Sequence, residues 1–114
     1  MPKTIDRVQL QARLAGHAQP ILVEALPRKY FDDWHLPAAR HMPHDQVREL
    51  AAAVLPDQNA EIVVYCASDT CQNSHIAARV LEQIGYTNVA VYAGGKKDWS
   101  EAGLPIERGV AKAA

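Results

Sequence analysis

EIVVYCASDTCQNSHIAA, residues 61–78, is the stretch whose reading decides the fold. Ile62, Val63 and Val64 form a short β-branched run that leads to Cys66, the pattern of a strand buried on both faces. Residues 67–73 are polar and break both the strand and the helix period. Beyond them Ile76, Ala77, Val80, Leu81 and Ile84 recur at helical spacing, and Ser74 is the residue type that caps such a helix. The stretch therefore predicts a buried strand, a polar loop flanked by two cysteines, and a helix start. A thiol at that junction is expected to lie beneath loop amides and the positive end of the helix dipole, both of which favour thiolate. Free cysteine ionises at about 8.5, and helix N-termini lower that value by one to several units. The competing reading of Cys66 is a small apolar core residue. The helix start behind it and the second thiol, Cys71, favour a nucleophile.

Outward from this stretch, strand-like and helix-like segments take turns. Asp6 is placed to cap a short helix carrying Val8, Leu10 and Leu14, closed near Gly16. After Pro20, Ile21–Glu24 reads as a strand. Pro27 suits the first turn of a helix with Tyr30, Phe31 and Trp34 on one face, and Pro37 stops it. Residues 39–42 are a weaker strand candidate. Asp45 is the expected cap of an amphipathic helix with Val47, Leu50, Ala51, Val54 and Leu55 on its apolar side. Gly85 ends the helix that Ser74 begins, Val89–Tyr92 is a further strand, and Gly94-Gly95 leads into a last short helix through Trp99. Such alternation predicts a three-layer α/β/α domain with a mainly parallel sheet of about five strands. In sheets of this kind ligands bind beyond the carboxyl ends of the strands. Loops 66–73 and 93–96 are thereby expected at one edge. One domain spans residues 1–108, with a flexible tail at 109–114.

At 114 residues the chain is long enough to bury a core unaided, and its formal net charge of −1 gives no reason to expect nucleic acid. No apolar run approaches the roughly 20 residues of a membrane span, and the first ten residues do not read as a signal peptide. Two cysteines without an export signal suggest a cytoplasmic protein in reducing surroundings. Cys66, Cys71 and His75 offer metal-ligand types at a spacing that matches no common zinc site, so no metal and no cofactor are expected. His35, His41, Trp34 and Trp99 read as packing residues. Lys96 and Lys97 stand at a helix start against the dipole preference, which signals either a nearby anion or two solvated side chains.

Three pieces in order make residues 5–106 resemble a single-domain rhodanese. ILVEALPRKYFDDWHLPAARHMP places Glu24 at the acidic end of the family's first motif and residues 35–39 at its second. IVVYC matches the strand that ends in the family's catalytic cysteine, and LEQIGYTNVAVYAGGKKDWSEAGLPIE matches the closing segment. The resemblance implies a sulfurtransferase in which Cys66 is the nucleophile, forming a cysteine persulfide and passing its sulfur to an acceptor. Two features depart from the family. Counted back from Ser74 the loop is two residues longer, and no arginine stands among residues 67–73, while Leu26 replaces another arginine common after the acidic residue. An arginine would clamp a small anion in a bidentate way, whereas Asp69 repels it. Thiosulfate is therefore expected to bind poorly, and without an arginine a phosphatase is not expected either.

The expected site comprises Cys66 and Cys71 as the reacting thiols, with Ala67, Ser68, Asp69, Thr70, Gln72, Asn73, Ser74, Gly94 and Gly95 around the substrate. A disulfide needs Cα atoms within about 7 Å, which the four-residue spacer allows if the loop folds back. Cys71 is thus expected to resolve a persulfide or sulfenic acid on Cys66. The donor is expected to be a small molecule or a protein-bound sulfur, the acceptor a thiol, and a protein partner is within the reading. Two other readings stand beside the enzyme: a non-catalytic binding module of the same fold, and a thiol redox switch through Cys66 and Cys71.

Overall fold

The computed structural model describes residues 2–109; of the expected tail, residues 110–114 lie outside the described residues. Strands β1 (Lys3–Ile5), β2 (Ile21–Glu24), β3 (Arg40–His41), β4 (Ile62–Tyr65) and β5 (Val89–Tyr92) alternate with helices α1 (Arg7–Leu14), α2 (Arg28–Asp33), α3 (Val47–Val54), α4 (Asn73–Gln83) and α5 (Gly95–Glu101). The five strands form one sheet in the order β1-β5-β4-β2-β3, and every pairing is parallel. The alternation read from the sequence is borne out. The strand it missed is β1, only three residues long and largely exposed, which carries no apolar run and exists through its pairing with β5.

Successive residues of the central strands point to opposite faces, and each face has its own core. Val23, Val64 and Val91 face Val47, Ala51 and Leu55 around α3 and Ala77, Ala78 and Leu81 of α4. Leu22, Val63, Tyr65 and Tyr92 face Leu10 of α1, Phe31 of α2 and Trp99 of α5. Full burial of one such aliphatic or aromatic side chain stabilises by about 1.5–3 kcal/mol. These two layers hold β4 rigidly, and all four of its residues are buried.

The helix ends show which capping signals operate. Asp6 caps α1 through a reciprocal pair: its carboxylate accepts from the Gln9 amide at 2.8 Å, and the Gln9 side chain accepts from the Asp6 amide at 2.9 Å. Gly85 closes α4 with φ +106°, while the Tyr86 amide donates to the Leu81 carbonyl at 3.0 Å. Two expected caps are corrected. Gln46, not Asp45, stands at the start of α3, and Gln72, not Ser74, at the start of α4, neither with a side-chain capping bond.

The sheet's connections place the site. From β2 the chain passes to β3 at one edge, and from β4 it passes to β5 on the other side. The switch therefore falls between β2 and β4, and the crevice beyond their carboxyl ends is where such sheets take ligands. Glu24 ends β2 there, and Cys66 follows β4.

Candidate active site

Glu24, Tyr65 and Tyr92 lie side by side across the carboxyl edge of β2, β4 and β5. Cys66 is the next residue and is 1% exposed. Its Sγ–H has two acceptors in reach, the Ser74 hydroxyl at 3.3 Å and the Cys71 carbonyl at 3.4 Å. Ser74, freed from the capping role, is buried in the first turn of α4 and serves the thiol instead.

The thiol's electrostatics correct the sequence reading. Burial pushes the Cys66 thiol above its ordinary value, the neighbouring Cys71 thiol adds to that, and Ser74 pulls part of it back through its hydroxyl and amide. The backbone around the sulfur is held by further amide contacts. The amides of Lys96 and Lys97, at the start of α5, donate to the carbonyls of Cys66 and Ala67 at 2.9 and 2.8 Å. That of Cys71 donates to the Ser68 carbonyl at 3.1 Å, closing a turn inside the loop. A dipole argument made from sequence counts donors near a strand end but cannot tell whether a carbonyl or a sulfur receives them.

The structure brings the two expected loops together. Gly95 has φ +63°, and a Cβ there would collide with the Cys66 carbonyl. Bare backbone is needed at this point for helix α5 to seat on the loop's first residue. Within the loop, Ala67, Asp69, Thr70 and Gln72 are exposed, whereas Ser68, Cys71 and Asn73 are half-buried. The Ser68 and Thr70 hydroxyls are 3.1 Å apart.

Beneath the loop lies a buried cluster that the sequence analysis left unassembled. Lys96 splits from its neighbour: Lys97 is exposed, but the Lys96 ammonium reaches the Glu24 carboxylate at 3.1 and 3.2 Å and the Tyr30 carbonyl at 2.8 Å. It also sits 4.6 Å from the Trp34 ring centroid. Glu24 is wholly buried and accepts from the Tyr65 hydroxyl at 2.9 Å, and that hydroxyl accepts from the Leu36 amide at 3.1 Å. Burial raises the Glu24 pKa, while Lys96 and Tyr65 oppose the rise. The anion that the misplaced lysines signalled is thus the protein's own carboxylate. An acidic residue closing an apolar strand, together with one lysine after Gly-Gly, was the available clue. His35 and His41 do pack as expected: His35 stacks on Phe31 at 3.9 Å, and His41 bonds the Leu26 carbonyl at 2.7 Å.

A family model described as "Rhodanese-like domain" matches residues 6–102. Thiosulfate sulfurtransferase PspE of Escherichia coli (strain K12) is 36% identical over 73 residues, covering 64% of this chain and 66% of that protein. Adenylyltransferase and sulfurtransferase UBA4 of Candida albicans (strain SC5314) is 36% identical over 106 residues, covering 88% of this chain and 23% of that protein. The chain thus spans less than two thirds of the length of either curated relative. Among solved structures, a thiosulfate sulfurtransferase from Pseudomonas aeruginosa superposes with a TM-score of 0.82 at 25% identity, covering 95% of this chain and 20% of that one. Matched over nearly its whole length, with a cysteine closing the central strand of a parallel five-stranded sheet, the chain belongs to the rhodanese-like domain family.

Proposed function

We propose that this protein is a sulfurtransferase in which Cys66 carries sulfane sulfur as a persulfide. The observation that carries the reading is the position of Cys66: a thiol at the carboxyl end of the central strand, on the switch point between β2 and β4, bonded to a buried serine hydroxyl. In the first step the Cys66 thiolate attacks the outer sulfur of a donor persulfide. The new sulfur–sulfur bond forms on Cys66 and the donor leaves as a thiolate. In the second step a nucleophilic acceptor takes the outer sulfur and Cys66 leaves as thiolate. Ala67, Ser68, Asp69, Thr70, Gln72, Asn73 and Ser74, which follow Cys66 in the loop and helix start, bind the substrate, and Gly94 and Gly95 seat the neighbouring helix. That loop carries a carboxylate and no cation, which favours organic persulfides over small dianions. The donor and the thiol acceptor are small molecules or protein-borne groups. The two free cysteines suit a reducing compartment such as the cytoplasm.

Mass spectrometry after exposure to glutathione persulfide tests this. The expected result is sulfur uptake that Cys66→Ser abolishes. A protein that gains no sulfur from any donor, and binds a partner undiminished with both cysteines replaced, is a binding module instead.

A further inference from the structure

We infer that Cys71 is the internal resolving thiol of this site: it displaces the sulfur from Cys66 as hydrosulfide, and the protein then depends on a dithiol reductant. The inference rests on the persulfide reading above and goes beyond it in naming the thiol that releases the sulfur and the reductant class.

The loop geometry points this way. The turn closed by the Cys71 amide on the Ser68 carbonyl at 3.1 Å folds the second cysteine back over the first. As a result the Cys71 main chain lies against the Cys66 sulfur, with carbonyl oxygen and Sγ 3.4 Å apart. Lys96 and Lys97 anchor the carbonyls of Cys66 and Ala67, so only residues 68–72 need to shift for the sulfurs to bond. Exposure separates the two roles, for Cys66 is buried while Cys71 is half-buried and within reach of water. Charge matters as well. Residues 67–73 include Asp69 and no cation, so no side-chain charge there offsets that of a persulfide anion. A buried sulfur without a counter-charge favours the neutral persulfide, which is the form a thiolate attacks.

The step balances without an external oxidant. Cys71 loses its proton to water and attacks Sγ of Cys66. The Cys66–Cys71 bond forms, the bond from Sγ to the outer sulfur breaks, and that sulfur departs with the electron pair as hydrosulfide. The sulfane sulfur is reduced and the two cysteines together are oxidised to a disulfide. A dithiol then attacks the disulfide, returns both cysteines to thiols and leaves as its own disulfide.

The test compares the unmodified chain with Cys71→Ser and Cys71→Ala after one equivalent of glutathione persulfide, followed by alkylation, mass spectrometry and sulfide measurement. The wild-type chain is expected to become two hydrogens lighter, with one equivalent of sulfide released, and dithiothreitol should restore the dithiol form. Both variants should instead retain one extra sulfur on Cys66 and lose the spontaneous release of sulfide. Two outcomes overturn the inference while leaving Cys66 as the carrier: wild type holding a persulfide on Cys66 as stably as the variants, or the same disulfide forming without a donor. Extra sulfur residing on Cys71 overturns both the inference and the assignment of Cys66 as carrier. If the variants gain no sulfur at all, the sulfurtransferase reading fails, and the inference fails with it.

Discussion

Replacing Lys96 with methionine isolates the buried Glu24–Lys96 pair at the sheet edge near Cys66. The substitution keeps the length and apolar stem that cover Trp34 but deletes the charge 3.1 Å from the Glu24 carboxylate. At that distance and an effective dielectric of about 20, the attraction is about 5 kcal/mol, largely offset by the desolvation of both groups. Removing one partner leaves the other buried and uncompensated, at a cost of about 3–5 kcal/mol. That is a large share of the about 5–15 kcal/mol that holds a domain of this size together. The penalty has a pH signature. Burial already raises the Glu24 pKa, and Lys96 opposes that rise, so Lys96→Met raises it further. A carboxyl with a raised folded pKa contributes stability fully below its unfolded value, about 4.3, and loses it as pH climbs through the folded value. The variant should therefore be most damaged at mildly alkaline pH and progressively rescued by acid. Urea unfolding of both proteins across that range measures this directly. Glu24→Gln added to Lys96→Met should recover most of the loss, since no charge then remains buried. A Lys96→Met penalty below about 1 kcal/mol, or one that does not change with pH, would refute the reasoning.

The same geometry makes other outcomes measurable. In a Cys71→Ser background, Cys66 alkylation by iodoacetamide should keep accelerating as pH rises past the ordinary cysteine range, because burial raises that thiol. A plateau near neutrality would contradict this. Ser74→Ala, which removes the hydroxyl that lowers the Cys66 pKa, should move the profile to still higher pH. Gly95→Ala should destabilise by about 1–3 kcal/mol from its left-handed backbone alone and, through the collision with the Cys66 carbonyl, loosen the loop; thermal unfolding and faster alkylation of Cys66 report each effect. Asp69→Arg should raise thiosulfate turnover, more so at low salt, whereas high thiosulfate activity in the unmodified protein would show that the loop's charge does not select the donor.

Residues 61–78 and the other apolar runs were legible because buried strands and amphipathic helices write their periods into the chain. Ile62–Tyr65, Leu22–Glu24 and Val89–Tyr92 are buried for the reason their sequences suggest. β1 was not legible, since Lys3–Ile5 becomes a strand only by tertiary pairing with β5. Within the site, sequence placed Cys66 and the loop but misassigned their neighbours. Ser74 looked like a cap because that is its usual local role, yet a sulfur eight positions earlier takes its hydroxyl. The thiolate expectation counted the loop amides and the helix start but not the burial that pushes the Cys66 thiol up. Glu24 and Lys96 were each noticed, but their union depends on bringing the ends of β2 and β5 to one edge.

That union spans 72 positions of chain, and its consequence is one of order in time. Glu24 leaves the ribosome long before Lys96 exists, and so does Cys66 before the amides that grip its carbonyl. Parallel strands joined by crossovers close late, because long loops must be ordered before their contacts repay the entropy. A chain interrupted before residue 95 would hold β2, β4 and the loop, but with a carboxylate lacking its counter-ion and two carbonyls lacking donors. Nascent or C-terminally clipped molecules should therefore expose their thiols without the setting that orients them. The setting of Cys66 is complete only once helix α5 has docked.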